Sequence, residues 1–296
     1  MNNLVEENVQ VLGHPTRLFR GGNKTAPATL FVHGGLPGIT PYCSGSHCWG
    51  GVLQRFVADG QVIALDLPGS GGTAMASEPL SVDVLGRFIL ATLDTLGIDA
   101  CDLVVHEASG IVGLWIALEM PKRLRSLSIV ASQISTPQGD SLDNLLLVSP
   151  PAPLWGRESQ MWAFDRLSYS HLHLDSELIE ACDAAAQSQP HRQAVAARGT
   201  TEKAFAKSVG VTKYRLWETV RGDGIKVPTQ FVWGCHDPAV SREAGYVLFT
   251  AIARRQTACH FHVINRAGSF PFREQPLAFH HVVSSFQAGI RHESSP

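Results

Sequence analysis

Short apolar runs alternate along this chain with longer stretches of helical periodicity. "TLFV" (29–32), "VIALD" (62–66), "LVVH" (103–106), "LRSLSIVA" (124–131), "TQFVW" (229–233) and "HFHVI" (260–264) are rich in apolar and β-branched residues. Runs of that length and character predict buried strands. Between them, "SVDVLGRFILATLDTLGI" (81–98) carries apolar residues at i, i+3 and i+4 and opens on Ser81, a helix N-cap residue. "GIVGLWIALEM" (110–120) is apolar nearly all round, as a helix packed under a sheet would be. Alternating strand and helix patterns predict an α/β fold built on a doubly wound, mostly parallel sheet of roughly eight strands.

One segment breaks the rhythm. Residues 136–225 hold "SLDNLLLV", the proline-rich "SPPAPLWG", "MWAFDRLSYSHLHL" and amphipathic helical pieces, with no convincing strand. The pattern predicts a core domain formed by 1–135 and 226–296, with a helical cap at 136–225 inserted over the C-terminal edge of the sheet. Ligands bind at that edge in open α/β folds.

Composition narrows the functional classes. Hydrophobic residues make up 44% of the 296 and charged residues 17%, which supports one large buried core. The net charge of -2 and the lack of a Lys/Arg cluster argue against nucleic acid as a partner. No run reaches about 18 apolar residues, so no membrane span is expected. The opening "MNNLVEENVQVLGHPTRLFRGG" has neither the basic start nor the apolar stretch of a signal peptide. The six scattered cysteines read as reduced thiols of a cytoplasmic protein. "CSGSHC" (43–48) matches no standard metal signature, and no metal or cofactor is expected. Self-association is left open.

The candidate chemistry lies in five loops. "FVHGGLPG" (31–38) and "ALDLPGSGGT" (64–73) are glycine-rich turns after strands. "LVVHEASGIVG" (103–113) runs from a strand through a small-residue turn into a helix. "VWGCHDP" (232–238) ends a strand at Asp237, and "INRAGSFPFREQP" (264–276) leads from the last strand into the last helix. In this order the blocks resemble the α/β-hydrolase fold superfamily, over nearly the whole chain apart from the cap. "HGGLPG", the cap and "REQP" make the chain most similar to the hydrolases that split carbon–carbon bonds in meta-cleavage products of aromatic degradation.

The resemblance implies a Ser–His–Asp triad whose serine occupies the centre of a G-x-S-x-G turn. Aligned on His106-Glu107-Ala108-Ser109-Gly110, the nucleophile position falls on Ala108. The acid falls on Asp237, and the histidine position falls on Ser269. Gly34 and Gly35, with the N–H groups of Gly35 and Ser109, match the oxyanion side. Without a nucleophile or base, acyl transfer is not available. His106 lies near the expected pocket floor, and a buried Glu107 could serve as acid or base. His47, His236, His260 and His262 read as packed or surface residues. Trp162 and the other cap aromatics Trp155, Phe164, Tyr169 and Trp217 line either a pocket or the cap's own packing.

Three readings follow from these residues. One is an enzyme that uses the oxyanion site on a small apolar carbonyl or carboxylate compound without a serine, by decarboxylation, isomerisation or cyclisation. Another is a C–C bond hydrolase disarmed by a Ser-to-Ala change. The third is a ligand-binding protein without catalysis.

Overall fold

The computed structural model describes residues 4–137 and 145–293. Eight strands form one sheet: β1 Leu4–Val11, β2 His14–Gly21, β3 Ala28–Val32, β4 Gln61–Leu65, β5 Cys101–His106, β6 Leu124–Val130, β7 Thr229–Gly234 and β8 Cys259–Ile264. Their order across the sheet is β1-β2-β4-β3-β5-β6-β7-β8. All neighbours from β4 to β8 run parallel, while β2 is antiparallel to both β1 and β4. The six apolar runs all form strands.

β1 and β2 were not legible as strands, because β1 is an edge strand with its middle residues largely in solvent. Such a strand gains most of its stability from pairing, so its sequence stays polar. The turn joining it to β2 places Leu12 and Gly13 at φ 51° and 80°. That is the mirror-image turn a two-residue hairpin prefers.

Helices cover both faces of the sheet. These are α1 Val52–Val57, α2 Val82–Thr95, α3 Ser109–Glu119, α4 Arg157–Arg166, α5 Ser176–Ala186, α6 Gln189–Ala196, α7 Arg198–Arg221, α8 Arg242–Ala253, α9 Pro271–Glu274 and α10 Pro276–Glu293. Ser81 does cap α2, its hydroxyl accepting from the Val84 amide. One core layer joins Leu30, Leu103, Phe88, Val112 and Phe231. The other joins Phe31, Trp49, Phe56, Val104 and Phe279.

Between β6 and β7 the described residues contain helices and no strand. The run at 141–148 begins outside the described residues. α4 and α5 pack near the loops after β3 and β8, through Phe164, Leu178 and Cys182 beside Tyr42 and Phe270. α7 goes elsewhere: its Phe205, Val209 and Leu216 join the layer of α2 and α3. No helix among the described residues is long and apolar enough to cross a membrane.

Candidate active site

The turn between β5 and α3 is the centre of the site. β5 ends at His106, and Glu107 takes a left-handed backbone, φ 47°. Ala108 already has right-handed helical angles, φ -58° and ψ -28°, at the N-cap of α3. The strained central residue of the elbow is therefore Glu107, and the register that placed Ala108 there is one residue late. A Cβ-bearing residue at positive φ is uncommon and needs support from its surroundings. Here the support comes from both ends of the residue. The Glu107 amide donates to the Val130 carbonyl at 3.0 Å, and the Glu107 carbonyl accepts from the Gly110 amide at 2.9 Å and from Ser132 Oγ at 2.5 Å.

The Glu107 side chain turns back to Gly35, one of the two amides expected to hold a substrate oxygen. Its Oε2 accepts from the Gly35 N–H at 2.7 Å, and the Ala108 N–H also donates to the carboxylate. The carboxylate is thus held by the Gly35 and Ala108 amides, whereas the pair expected for a substrate oxygen was that of Gly35 and Ser109. Burial pushes the Glu107 carboxyl above its ordinary pKa, and the two amides act in the opposite sense. The residue nevertheless keeps some accessible surface. Glycine at 34 is needed for this approach: a Cβ there would lie 2.6 Å from both Glu107 Cβ and His106 Nδ1. Gly35 itself has φ 79°.

Asp237 and Ser269 do come together. Ser269 Oγ donates to Asp237 Oδ1 at 2.8 Å, and the same oxygen accepts from the Ala239 and Val240 amides at 2.9 Å each. Asp237 Oδ2 is sealed without a partner. Burial raises the carboxyl to about 6, against the pull of those three donors. The Ser269 carbonyl is held by His106, whose Nε2–H donates to it at 2.9 Å.

His106 is a packed strut between the elbow and the Ser269 loop. Its ring lies among Trp49, Phe270 and Phe272, and burial lowers its pKa to about 4. Ser109 is buried and donates its hydroxyl to the His33 carbonyl at 2.6 Å. Trp162 faces an outer groove of about 610 Å³ with Arg157, Met161, His171 and Leu174, and carries Arg166 over its ring at 5.4 Å. Of the cap aromatics, Phe164 reaches inward, against Tyr42 and Phe270. Trp155 bonds the Thr40 carbonyl, and Tyr169 packs on His236. Tyr42, which no pattern singled out, is buried and sits within electrostatic reach of Glu107.

All six cysteines are free thiols. Among the described residues no group of three or more His, Cys, Asp or Glu could hold a metal ion.

A model of the Alpha/beta hydrolase family matches residues 29–282. The chain is 26% identical over 266 residues to a 2-hydroxy-6-oxo-2,4-heptadienoate hydrolase of Pseudomonas putida, covering 88% of each protein. It is 33% identical over 133 residues to the dihydrolipoyllysine-residue acetyltransferase component of an acetoin cleaving system of Pseudomonas putida. That match spans 43% of this chain and only 32% of the relative. By structure it is similar to the 2-hydroxy-6-oxo-6-phenylhexa-2,4-dienoate hydrolase of Rhodococcus sp. strain RHA1, with a TM-score of 0.76 at 16% identity over 96% of this chain and 98% of that one. At that identity the likeness is one of fold.

Proposed function

Since the chain belongs to the α/β hydrolase family, we propose that it is a member working without a serine nucleophile, in which the Glu107 carboxyl is the acid/base group acting on a small, largely apolar carbonyl compound. The observation that carries this reading is the Glu107 carboxylate, poised on two amides at the strained elbow residue, partly accessible and shifted upward by burial. A carboxylate whose pKa is raised above its ordinary value is a stronger base than one in water. Removing a proton beside a carbonyl leads to isomerisation or cyclisation through an enol, which needs no acyl-enzyme. Residues of α4–α6 cover this site as a cap inserted between β6 and β7.

A disarmed serine hydrolase is less favoured, because Ala108 lies outside the strained position that a nucleophile takes. The non-catalytic reading draws on one specific observation: Glu107 fills the amides a substrate oxygen would use.

The test is proton exchange. Acetophenone incubated with the protein in heavy water should lose its α-proton NMR signal faster than in buffer, and Glu107→Gln should abolish the gain. No acceleration by the wild type, or equal acceleration by Glu107→Gln, refutes the reading.

A further inference from the structure

A second groove, of about 600 Å³, lies against the loop that follows Gly35. Trp155, in its wall, donates its indole N–H to the Thr40 carbonyl at 2.9 Å. α6 sits so close on Gly38 that a Cβ there would lie 2.6 Å from the Ala194 carbonyl oxygen. Pro153, Leu154, Ala186 and Val195 supply apolar surface, and neither Glu107, Asp237 nor Ser269 lines the groove.

The walls are fixed. Trp155 has φ 63°, a strained backbone for a bulky residue. Its carbonyl accepts from Gln160 Nε2 at 3.0 Å, and the same buried glutamine accepts from the Cys43 amide at 2.9 Å. The indole meets the His191 ring edge-on, with centroids 4.9 Å apart. His191 is only 6% exposed, and it too lines the groove. Cys43 Sγ lies 3.7 Å from its Nδ1 and 3.8 Å from its Nε2. An atom nearly equidistant from both nitrogens lies off the bonding axis of each, because the two axes diverge across the ring. No other described residue bonds either nitrogen. Burial holds the imidazole below its ordinary pKa, so it stays neutral, with one N–H to donate. The next residue, Arg192, is exposed and gives a bond to the Gln187 carbonyl, and among the described residues it pairs with no carboxylate. The remaining charges of the groove cancel, since Arg157 Nη1 holds Asp183 Oδ2 at 3.0 Å.

We propose that this groove is a binding site for an aromatic monocarboxylate, its ring against Trp155 and Leu154 and its carboxylate between the His191 N–H and the Arg192 guanidinium. The apolar walls call for the ring. One cation without an acid, beside an imidazole without an in-line partner, calls for the carboxylate. The site is separate from the elbow and independent of what Glu107 does.

The probes are 2-naphthoate and 2-naphthamide, alike in shape and different in charge. Each is titrated near neutral pH against the wild type and Arg192→Gln, a change on exposed helix surface, with binding read by NMR. The wild type should bind the carboxylate at least about tenfold more tightly, the scale of a hydrogen bond to a charged group. Arg192→Gln should bring it down to the affinity of the amide. The histidine resonance that vanishes in His191→Gln should shift in the wild type as naphthoate is added. A preference that survives Arg192→Gln, an unmoved His191 resonance, or no binding of naphthoate to the wild type overturns the proposal. So does naphthoate binding that Glu107→Gln abolishes and Arg192→Gln leaves intact, which would put the ligand at the elbow.

Discussion

At the scale of the residue, the proposed function turns on Glu107. Glu107 stands at the strained elbow position and Ser269 beside Asp237; on the proposed reading these are the two side chains to exchange for a Ser–His–Asp arrangement. Wild-type protein should resist labelling by a fluorophosphonate probe. Glu107→Ser combined with Ser269→His should gain both labelling and 4-nitrophenyl acetate hydrolysis, whereas Ala108→Ser should gain neither. A labelled wild type would contradict this. Asp237 gives a pH signature. Its carboxyl is raised from 3.8 to about 6, so the folded state binds the proton more tightly than the unfolded state does. The stability this confers is present at low pH and lost as pH rises through about 6. Thermal melts of wild type and Asp237→Asn should therefore diverge, the wild type losing ground steadily between about pH 4 and 6. A constant difference over that range would show that the raised value is wrong.

At the scale of the element, the helix α9 fastens a distant segment to the Ser269 loop. Glu274 accepts from the Gly268 amide at 2.6 Å and from the Ser170 amide at 2.8 Å, while Arg273 reaches Asp175 at 2.8 Å and the His173 carbonyl at 3.1 Å. The Ser269 amide donates to the Leu167 carbonyl at 2.8 Å. Glu274→Ala should speed amide exchange at least about tenfold in 167–175 and 266–274 while the central strands keep their protection, as local opening does. Uniform change, or none, would mean that the fastening is incidental. The sequence marked this region through "REQP" without revealing its partners, since contacts between residues about a hundred positions apart leave no local pattern. The elbow was legible in kind and not in register. Ala108, Ser109 and Gly110 are all small, so the match to G-x-S-x-G slid by one, and the backbone angle of Glu107 that fixes the register is not written in residue type. Asp237 and Ser269 were legible because each lies in the loop just after a strand, three residues past β7 and five past β8. Tyr42 was not, because its position depends on a loop folding back over Gly35.

At the scale of the whole molecule, the buried strands announced the parallel sheet through their apolar runs, while the β1–β2 hairpin stayed hidden because one strand of it lies largely in water. Global stability also bears on the site. Glu107 holds a left-handed backbone, which costs a Cβ-bearing residue about 1 kcal/mol or more. Its carboxylate is also less comfortable here than in water, as its raised pKa records. Both terms have the same sign near neutral pH. Glu107→Asn, which tolerates that backbone and carries no charge, should melt at a higher temperature than the wild type at pH 7; a lower melting point would show that the two amide bonds outweigh strain and desolvation together. A population evolved for heat resistance alone, with no demand on what the protein does, should accordingly discard this glutamate early, and its retention in a lineage would be a record of use.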